Sequence, residues 1–330
     1  MRLLKLLLLF LVGAGIGFGG WFALFANRPL ALPASAIDVS IEPGATLTSV
    51  TQQLIDAGVP LRGWDFRLLA RLLGKTTAIK AGSYEIEAGA TPRTLLTMLT
   101  RGDVRQVGIA LIEGWTFRQL RAALDAQSDL LHDSRLLSDA DILQRIGATE
   151  THPEGLFFPD TYLFTRQSSD LALLRRAYRE MRTRLQTAWD ARPDGLPYKS
   201  PYEALIMASI VEKETGRPED RPLVAAVFVN RLRAGMLLQT DPTVIYGLGS
   251  RFDGNLRKRD LTTDGPYNTY LRAGLPPTPI AMAGAASLKA ALNPPKSDYL
   301  YFVARGDGSS VFSRSLDEHN RAVAQYQKKR

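Results

Sequence analysis

Between Leu6 and Ala26 the chain runs through 21 uncharged, mostly apolar residues without interruption. A helix needs about 20 such residues to cross the hydrocarbon core of a bilayer, so this segment is expected to be a transmembrane helix. Arg2 and Lys5 precede it, and basic flanks stay on the cytoplasmic side. Residues 1–5 are therefore read as cytoplasmic, 6–26 as the span, 27–36 as a Pro/Ala linker, and the rest as lying beyond the membrane. The rival reading is a cleaved signal peptide, with Ala34-Ser35-Ala36 as the small-residue cleavage site. The apolar core of a signal is typically about 7–15 residues long. The longer run here favours an uncleaved, single-pass anchor.

The 330 residues leave room for two compact domains after the span, and 45% hydrophobic residues suffice to build their cores. A net charge of +8 would suit nucleic acid, an anionic membrane surface or an acidic polymer. The basic residues are not gathered into one block, however. Their densest group, Arg175, Arg176, Arg179, Arg182 and Arg184, is interrupted by Glu180 and reads as a solvated helix face, so no nucleic-acid partner is inferred. Cysteine is absent, and His132, His152 and His319 show no ligand spacing. Neither a disulfide framework nor a metal site nor any other cofactor is expected.

One local pattern occurs three times. Ile41-Glu42-Pro43-Gly44-Ala45-Thr46 precedes Val50 and Leu54; Ile86-Glu87-Ala88-Gly89-Ala90-Thr91 precedes Leu95, Leu96 and Leu99; Ile112-Glu113-Gly114-Trp115-Thr116 precedes Leu120 and Leu124. Each reads as a strand, a glycine turn, a threonine N-cap and a helix with apolar residues three and four apart. The separations are uneven, so the units belong to a compact module rather than a solenoid. Residues 37–105 resemble a LysM-like module, a βααβ fold that often binds N-acetylated glycans; a spacer without sugar affinity fits the same pattern. Residues 106–150 are read as a connecting βα and helical segment, helical from Ser128 to Glu150, and 151–330 as an α+β domain. Helices are expected at Leu171–Trp189, at Tyr202–Thr215 stopped by Gly216, and at Pro222–Ala234. A strand is expected at Tyr299–Val303, followed by a polar terminal helix.

The apolar helix ending at Thr215 carries two carboxylates, Glu212 and Glu214. At about 100° per residue, Glu214 shares a face with Met207, Ile210 and Val211, whereas Glu212 points nearly the opposite way. Glu214 is then the carboxylate at the end of an apolar stripe, and Glu212 an ordinary surface residue. Partial burial raises a carboxyl pKa, which a glycosidase acid requires. By spacing alone, a buried structural glutamate paired with an arginine is the commoner outcome. Sugar clefts also need amides for hydroxyls and acetamides and aromatic faces for rings. Gln239, Asn268, Tyr246, Tyr267 and Tyr270 supply both kinds, although Asn268 could equally shape a turn and the tyrosines could be core. Asp241 reads as an N-cap ahead of Pro242.

Glu212-Lys213-Glu214-Thr215-Gly216, Asn230-Arg231-Leu232, Leu238-Gln239-Thr240-Asp241-Pro242-Thr243-Val244-Ile245-Tyr246-Gly247, Tyr267-Asn268-Thr269-Tyr270, Gly274-Leu275-Pro276-Pro277 and Tyr299-Leu300-Tyr301-Phe302-Val303 follow one another in this order. Together they resemble the endolytic murein transglycosylase family, membrane-anchored bacterial proteins. Glu154-Gly155-Leu156-Phe157-Phe158-Pro159-Asp160-Thr161-Tyr162 resembles the family as well, without an assigned role. The family's general acid is the Glu immediately before Thr, which maps onto Glu214. Glu214-Thr215 and Leu237-Leu238-Gln239 are also similar to motifs of lytic transglycosylases with lysozyme-like folds, where they line the sugar cleft; Gly235 stands two residues ahead of Leu237 rather than beside it.

The resemblance implies an α+β catalytic domain with a lysozyme-like glycan cleft lined by Thr215 and Gln239, and side-chain chemistry adds Tyr246, Asn268, Tyr267 and Tyr270 as candidate substrate contacts. It implies a periplasmic lyase of the cell inner membrane that cuts the bond between N-acetylmuramic acid and N-acetylglucosamine and leaves a 1,6-anhydro end on nascent strands. Peptidoglycan strands are then the substrate and cell-wall synthases the candidate protein partners. A non-catalytic glycan-binding anchor and a scaffold for such synthases are the alternatives. All acid/base candidates that match the family follow Ala208, so a chain begun near Ser128 is expected to keep some cleavage.

Overall fold

The computed structural model describes residues 2–103 and 106–327. Residues 104–105, at the expected boundary of the LysM-like module, and the last three of the expected catalytic domain lie outside the described residues. In chain order the elements are α1 (Arg2–Asn27), β1 (Ala36–Ile41), α2 (Leu47–Asp56), α3 (Gly63–Leu72), β2 (Gly82–Glu87), α4 (Pro92–Arg101), β3 (Gln106–Ala110), α5 (Phe117–Asp125), β4 (Leu130–Leu131) and α6 (Asp139–Ile146). They continue with β5 (Thr161–Thr165), β6 (Ser168–Ser169), α7 (Asp170–Asp190), α8 (Pro201–Glu214), α9 (Arg221–Arg233), α10 (Asp241–Leu248), α11 (Lys258–Thr262), α12 (Ala285–Leu292), β7 (Tyr301–Ala304), β8 (Ser310–Ser313) and α13 (Leu316–Tyr326). The strands form two-stranded sheets, β1 with β2, β3 with β5, β4 with β6 and β7 with β8. Helix and strand are mixed, as α+β implies.

The chain divides into two compact units. The first is Met1–Gly108 with Leu163–Ser168; the second is Ile109–Tyr162 with Ser169–Arg330. In the first unit, β1 and β2 are antiparallel with Val39 opposite Tyr84, and α2 and α3 lie between them in sequence, giving the order βααβ. The three repeated patterns have a common cause in their caps: the Thr46, Thr91 and Thr116 side chains accept from the backbone N–H of Ser49, Thr94 and Gln119. Val39, Val50, Leu54, Phe66, Leu69, Tyr84, Leu95 and Leu99 close the core of this unit. Helix α3 escapes the sequence pattern because Arg62, at its N-cap, makes no side-chain cap hydrogen bond. From Leu9 to Asn27, α1 has a mean hydropathy of 1.9 and only 6% of it is buried, unlike a core helix. Its C-terminal end is the exception, since Ala26 is fully buried and Phe22 and Phe25 pack on the core.

The second unit is built around α8. Every residue from Ala204 to Val211 is buried, and the helix packs on α12, α9, α7 and α10. The expected single apolar stripe is therefore wrong, because neighbours cover α8 on all sides. Gly216 does not stop the helix through a left-handed turn: Thr215 takes up extended backbone directly after Glu214. Between Ser128 and Glu150 the chain is helical only over Asp139–Ile146, where Ser138 caps α6. Antiparallel β7 and β8 place Phe302 edge-on to Phe228 of α9, ring centroids 5.8 Å apart.

Candidate active site

Glu214 is the last residue of α8, which starts at Pro201 behind the N-cap Ser200. Its position at the helix terminus, rather than on an apolar stripe, frees its carboxyl from the packing around Ala204–Val211. The residue is half-buried and lines a cavity of about 530 Å³. Burial raises the pKa of its carboxyl, and the Asp241 charge raises it further; the Thr240 hydroxyl and the Arg231 charge oppose this. The negative end of the α8 dipole acts in the same direction as burial.

Thr240 donates its hydroxyl proton to the Glu214 Oε1. A buried threonine cluster holds Thr240 in place. Its N–H donates to the Thr269 Oγ1 at 3.1 Å, and its carbonyl accepts from the Thr243 hydroxyl at 2.8 Å. Arg231 does not pair with Glu214. Its guanidinium donates to the carbonyls of Leu300 (2.7 Å), Leu238 (2.8 Å) and Leu237 (3.3 Å). Asn230 beside it donates to the carbonyls of Ser297 and Tyr299. The Asn230-Arg231 pair thus fixes the approach to β7, whose residues Tyr301–Ala304 form one wall of the cavity.

Gln239 and Tyr270 line the same cavity as Glu214. Gln239 is exposed and has φ +51°, left-handed backbone that costs a non-glycine residue energy and tends to persist where geometry serves a function. Asp241 lines the cavity too, and its Oδ1 accepts from the Tyr270 hydroxyl at 2.6 Å. Asp241 is the first residue of α10 and Thr240 its N-cap, which corrects the expected cap. Thr215 is half-buried beside Glu214, its hydroxyl accepting from the Arg217 N–H.

Tyr246, Tyr267 and Asn268 are not in this cavity. Asn268 is only 4% exposed, its amide donates to the carbonyls of Asp260, Leu261 and Thr263, and its Oδ1 accepts from the Tyr270 N–H. With those groups engaged it shapes the loop that carries Tyr270. Tyr246 and Tyr267 meet edge to face and line a separate cavity of about 650 Å³ with Glu154. Glu154 accepts from the Phe117 N–H (2.9 Å) and the Tyr246 hydroxyl (3.1 Å), and burial pushes its carboxyl up to about 7. Thr240, next to Gln239 in sequence, carries no signal of its role on Glu214, and neither do Tyr301 and His319, which stack at the cavity wall with ring centroids 5.3 Å apart. Among the described residues no group of His, Asp and Glu could hold a metal ion.

Glu212, expected at the surface, has a side chain only 7% exposed. It accepts from the Gly284 N–H at 2.9 Å and lies 3.8 Å from the Arg221 guanidinium. It does point away from Glu214, but that side of α8 is covered as well.

The chain is similar to proteins already known. The YceG-like family matches residues 39–325 of the chain. An endolytic murein transglycosylase of Bacillus subtilis is 31% identical over 88% of this chain and 85% of its own length. One of Streptococcus pneumoniae is 27% identical over 97% of this chain, which spans 64% of that longer protein. A crystal structure of a YceG-like protein from Listeria monocytogenes, at 30% identity, superposes with a TM-score of 0.53 over 87% of this chain and 98% of the other.

Proposed function

Since the chain belongs to the YceG-like family, we propose that it is an endolytic murein transglycosylase, a lyase acting on peptidoglycan with Glu214 as its acid and base. The observation that carries this reading is a glutamic acid with a raised pKa on the wall of an open cavity, without an ion-pair partner among the described residues. Burial favours the protonated, donating form of such a group, and the Thr240 hydroxyl and Arg231 stabilise the carboxylate to which it returns.

In the first step Glu214 gives its proton to the oxygen bridging muramyl C1 and glucosaminyl C4. The C1–O bond breaks and its electron pair stays with that oxygen. The carboxylate then takes the proton of the muramyl C6 hydroxyl, and O6 closes on C1. The product end is a 1,6-anhydro sugar and no water is consumed. Intramolecular attack replaces a positioned water through its effective molarity, so one acid/base suffices. Gln239 and Tyr270 are the proposed sugar contacts in the same cavity. Tyr246 and Tyr267 would serve only a second region of the strand, beside Glu154.

The remaining assignments belong to the same proposal. The apolar α1 anchors the chain in the inner membrane with its N-terminus cytoplasmic and the catalytic unit periplasmic, acting on nascent strands beside cell-wall synthases. The βααβ order of the first unit supports a LysM-like, glycan-holding role, and the cavity at Glu214 a lysozyme-like cleft. One observation favours a second reading: Asp241 lines the same cavity, and hydrolysing glycosidases pair two carboxylates. Mass analysis of digested peptidoglycan separates the two. Ends with 1,6-anhydromuramyl residues are expected; free reducing ends would make the enzyme a hydrolase.

A further inference from the structure

Helix α3 presents an outward face that a water-exposed helix would not carry. Trp64 is 59% exposed and Leu72 56%, and half-buried Leu68 lies between them at four-residue spacing. The opposite face is turned into the core through Asp65, Phe66, Leu69 and Ala70. About 100° per residue sets Arg67 and Arg71 in a second row alongside the apolar one, with Arg62 and Lys75 exposed at the two ends. Asp65, the acidic residue of this helix, is buried, so the outer face is basic.

The apolar row continues into α1. The Trp64 ring lies 6.2 Å from that of Trp21, which stacks on Phe25. Phe22, Phe25 and Ala26 of α1 are packed on the core of the first unit. The membrane-facing part of α1 and the exposed row of α3 therefore meet at a pair of tryptophans, the side chain that favours the level of lipid headgroups. An apolar stripe bordered by arginines is the signature of a helix lying in the plane of an anionic membrane surface, its cations reaching to phosphates.

We infer that α3 is a membrane-surface helix: Trp64, Leu68 and Leu72 enter the headgroup and acyl boundary of an anionic bilayer, and Arg67 and Arg71 hold its phosphates. The inference rests on α1 being a membrane span. Lipid is the occupant because the face is continuous with that span and complementary in charge to anionic headgroups.

The chain has no cysteine, so single cysteines can report on the full-length protein. Ile16→Cys and Leu72→Cys, each carrying an environment-sensitive fluorophore, are reconstituted separately into phosphatidylcholine–phosphatidylglycerol vesicles with brominated acyl chains. Both positions are exposed in the protein, which spares the fold. Quenching at both is expected, and Arg67→Glu with Arg71→Glu should weaken it at position 72 alone. Quenching at position 16 with a water-like, unquenched probe at position 72 would overturn the inference and leave the anchor standing. A blue-shifted but unquenched probe at position 72 would mean a second protein copy covers the face, and also overturns it. No quenching at either position would remove the anchor itself and the inference with it.

Discussion

Glu214 works as an acid only if its proton is held near neutral pH, and the side chains around it allow that to be tested singly. Asp241 raises the pKa of Glu214. Asp241→Asn removes this contribution, so the protonated form is lost at lower pH and the high-pH limb of kcat/KM should move down. A limb that stays in place or moves up would contradict the assignment. Glu212→Gln is expected to leave the chemistry intact but to cost about 1–3 kcal/mol of stability, because it weakens a buried contact with Arg221. Urea unfolding compared with cleavage per folded molecule separates these effects. Helical geometry correctly set the two glutamates on different sides of α8. It could not tell that both sides are covered, since burial depends on α7, α9, α10 and α12, which adjoin α8 only in three dimensions.

At the scale of elements, the parts readable from sequence are those specified locally. Thr46, Thr91 and Thr116 cap the helices that follow them, and the long apolar or amphipathic segments α7, α8 and α9 fall within a residue or two of their expected bounds. What escaped was set by tertiary contacts: α3 without a side-chain cap, Asn268 absorbed into its own loop, and two tyrosines gathered at Glu154 instead of Glu214. Glu154 links the start of α5 to α10 through Phe117 and Tyr246. Its pKa of about 7, against an ordinary 4.5, means the folded state keeps the proton that the unfolded chain releases. Stability from this proton is complete below the unfolded pKa and is lost as pH rises through the folded one, by about 3 kcal/mol at about 1.4 kcal/mol per unit. Unfolding in urea at pH 5 and pH 8 should show a smaller loss for Glu154→Gln than for the parent. Equal losses would contradict the buried, protonated state. On α9, Phe228 is buried against Phe302, and Phe228→Ala should cost about 3–5 kcal/mol in the same assay.

Across the whole molecule, the two units are not successive stretches of chain. The second begins at Ile109, and Leu163–Ser168 in its midst belong to the first. A chain begun near Ser128 would lose Phe117, Leu120 and Leu124, all buried in the second unit. It is expected to lose cooperative unfolding and cleavage together, contrary to the expectation from motif positions alone; a cooperative, cleaving fragment would restore that expectation. In the proposed reaction, cleavage depends on one proton at one carboxyl. Glu214→Gln keeps the size of the side chain and can still accept from Thr240, but cannot donate and recover a proton, a function that typically contributes about 10²–10⁴-fold. The decisive measurement is the yield of 1,6-anhydromuramyl ends from purified peptidoglycan with the folded parent and folded Glu214→Gln. Such ends are expected from the parent, with a loss of at least about 10²-fold in the variant; a variant that cleaves at the parent's rate would contradict Glu214 as the acid and base.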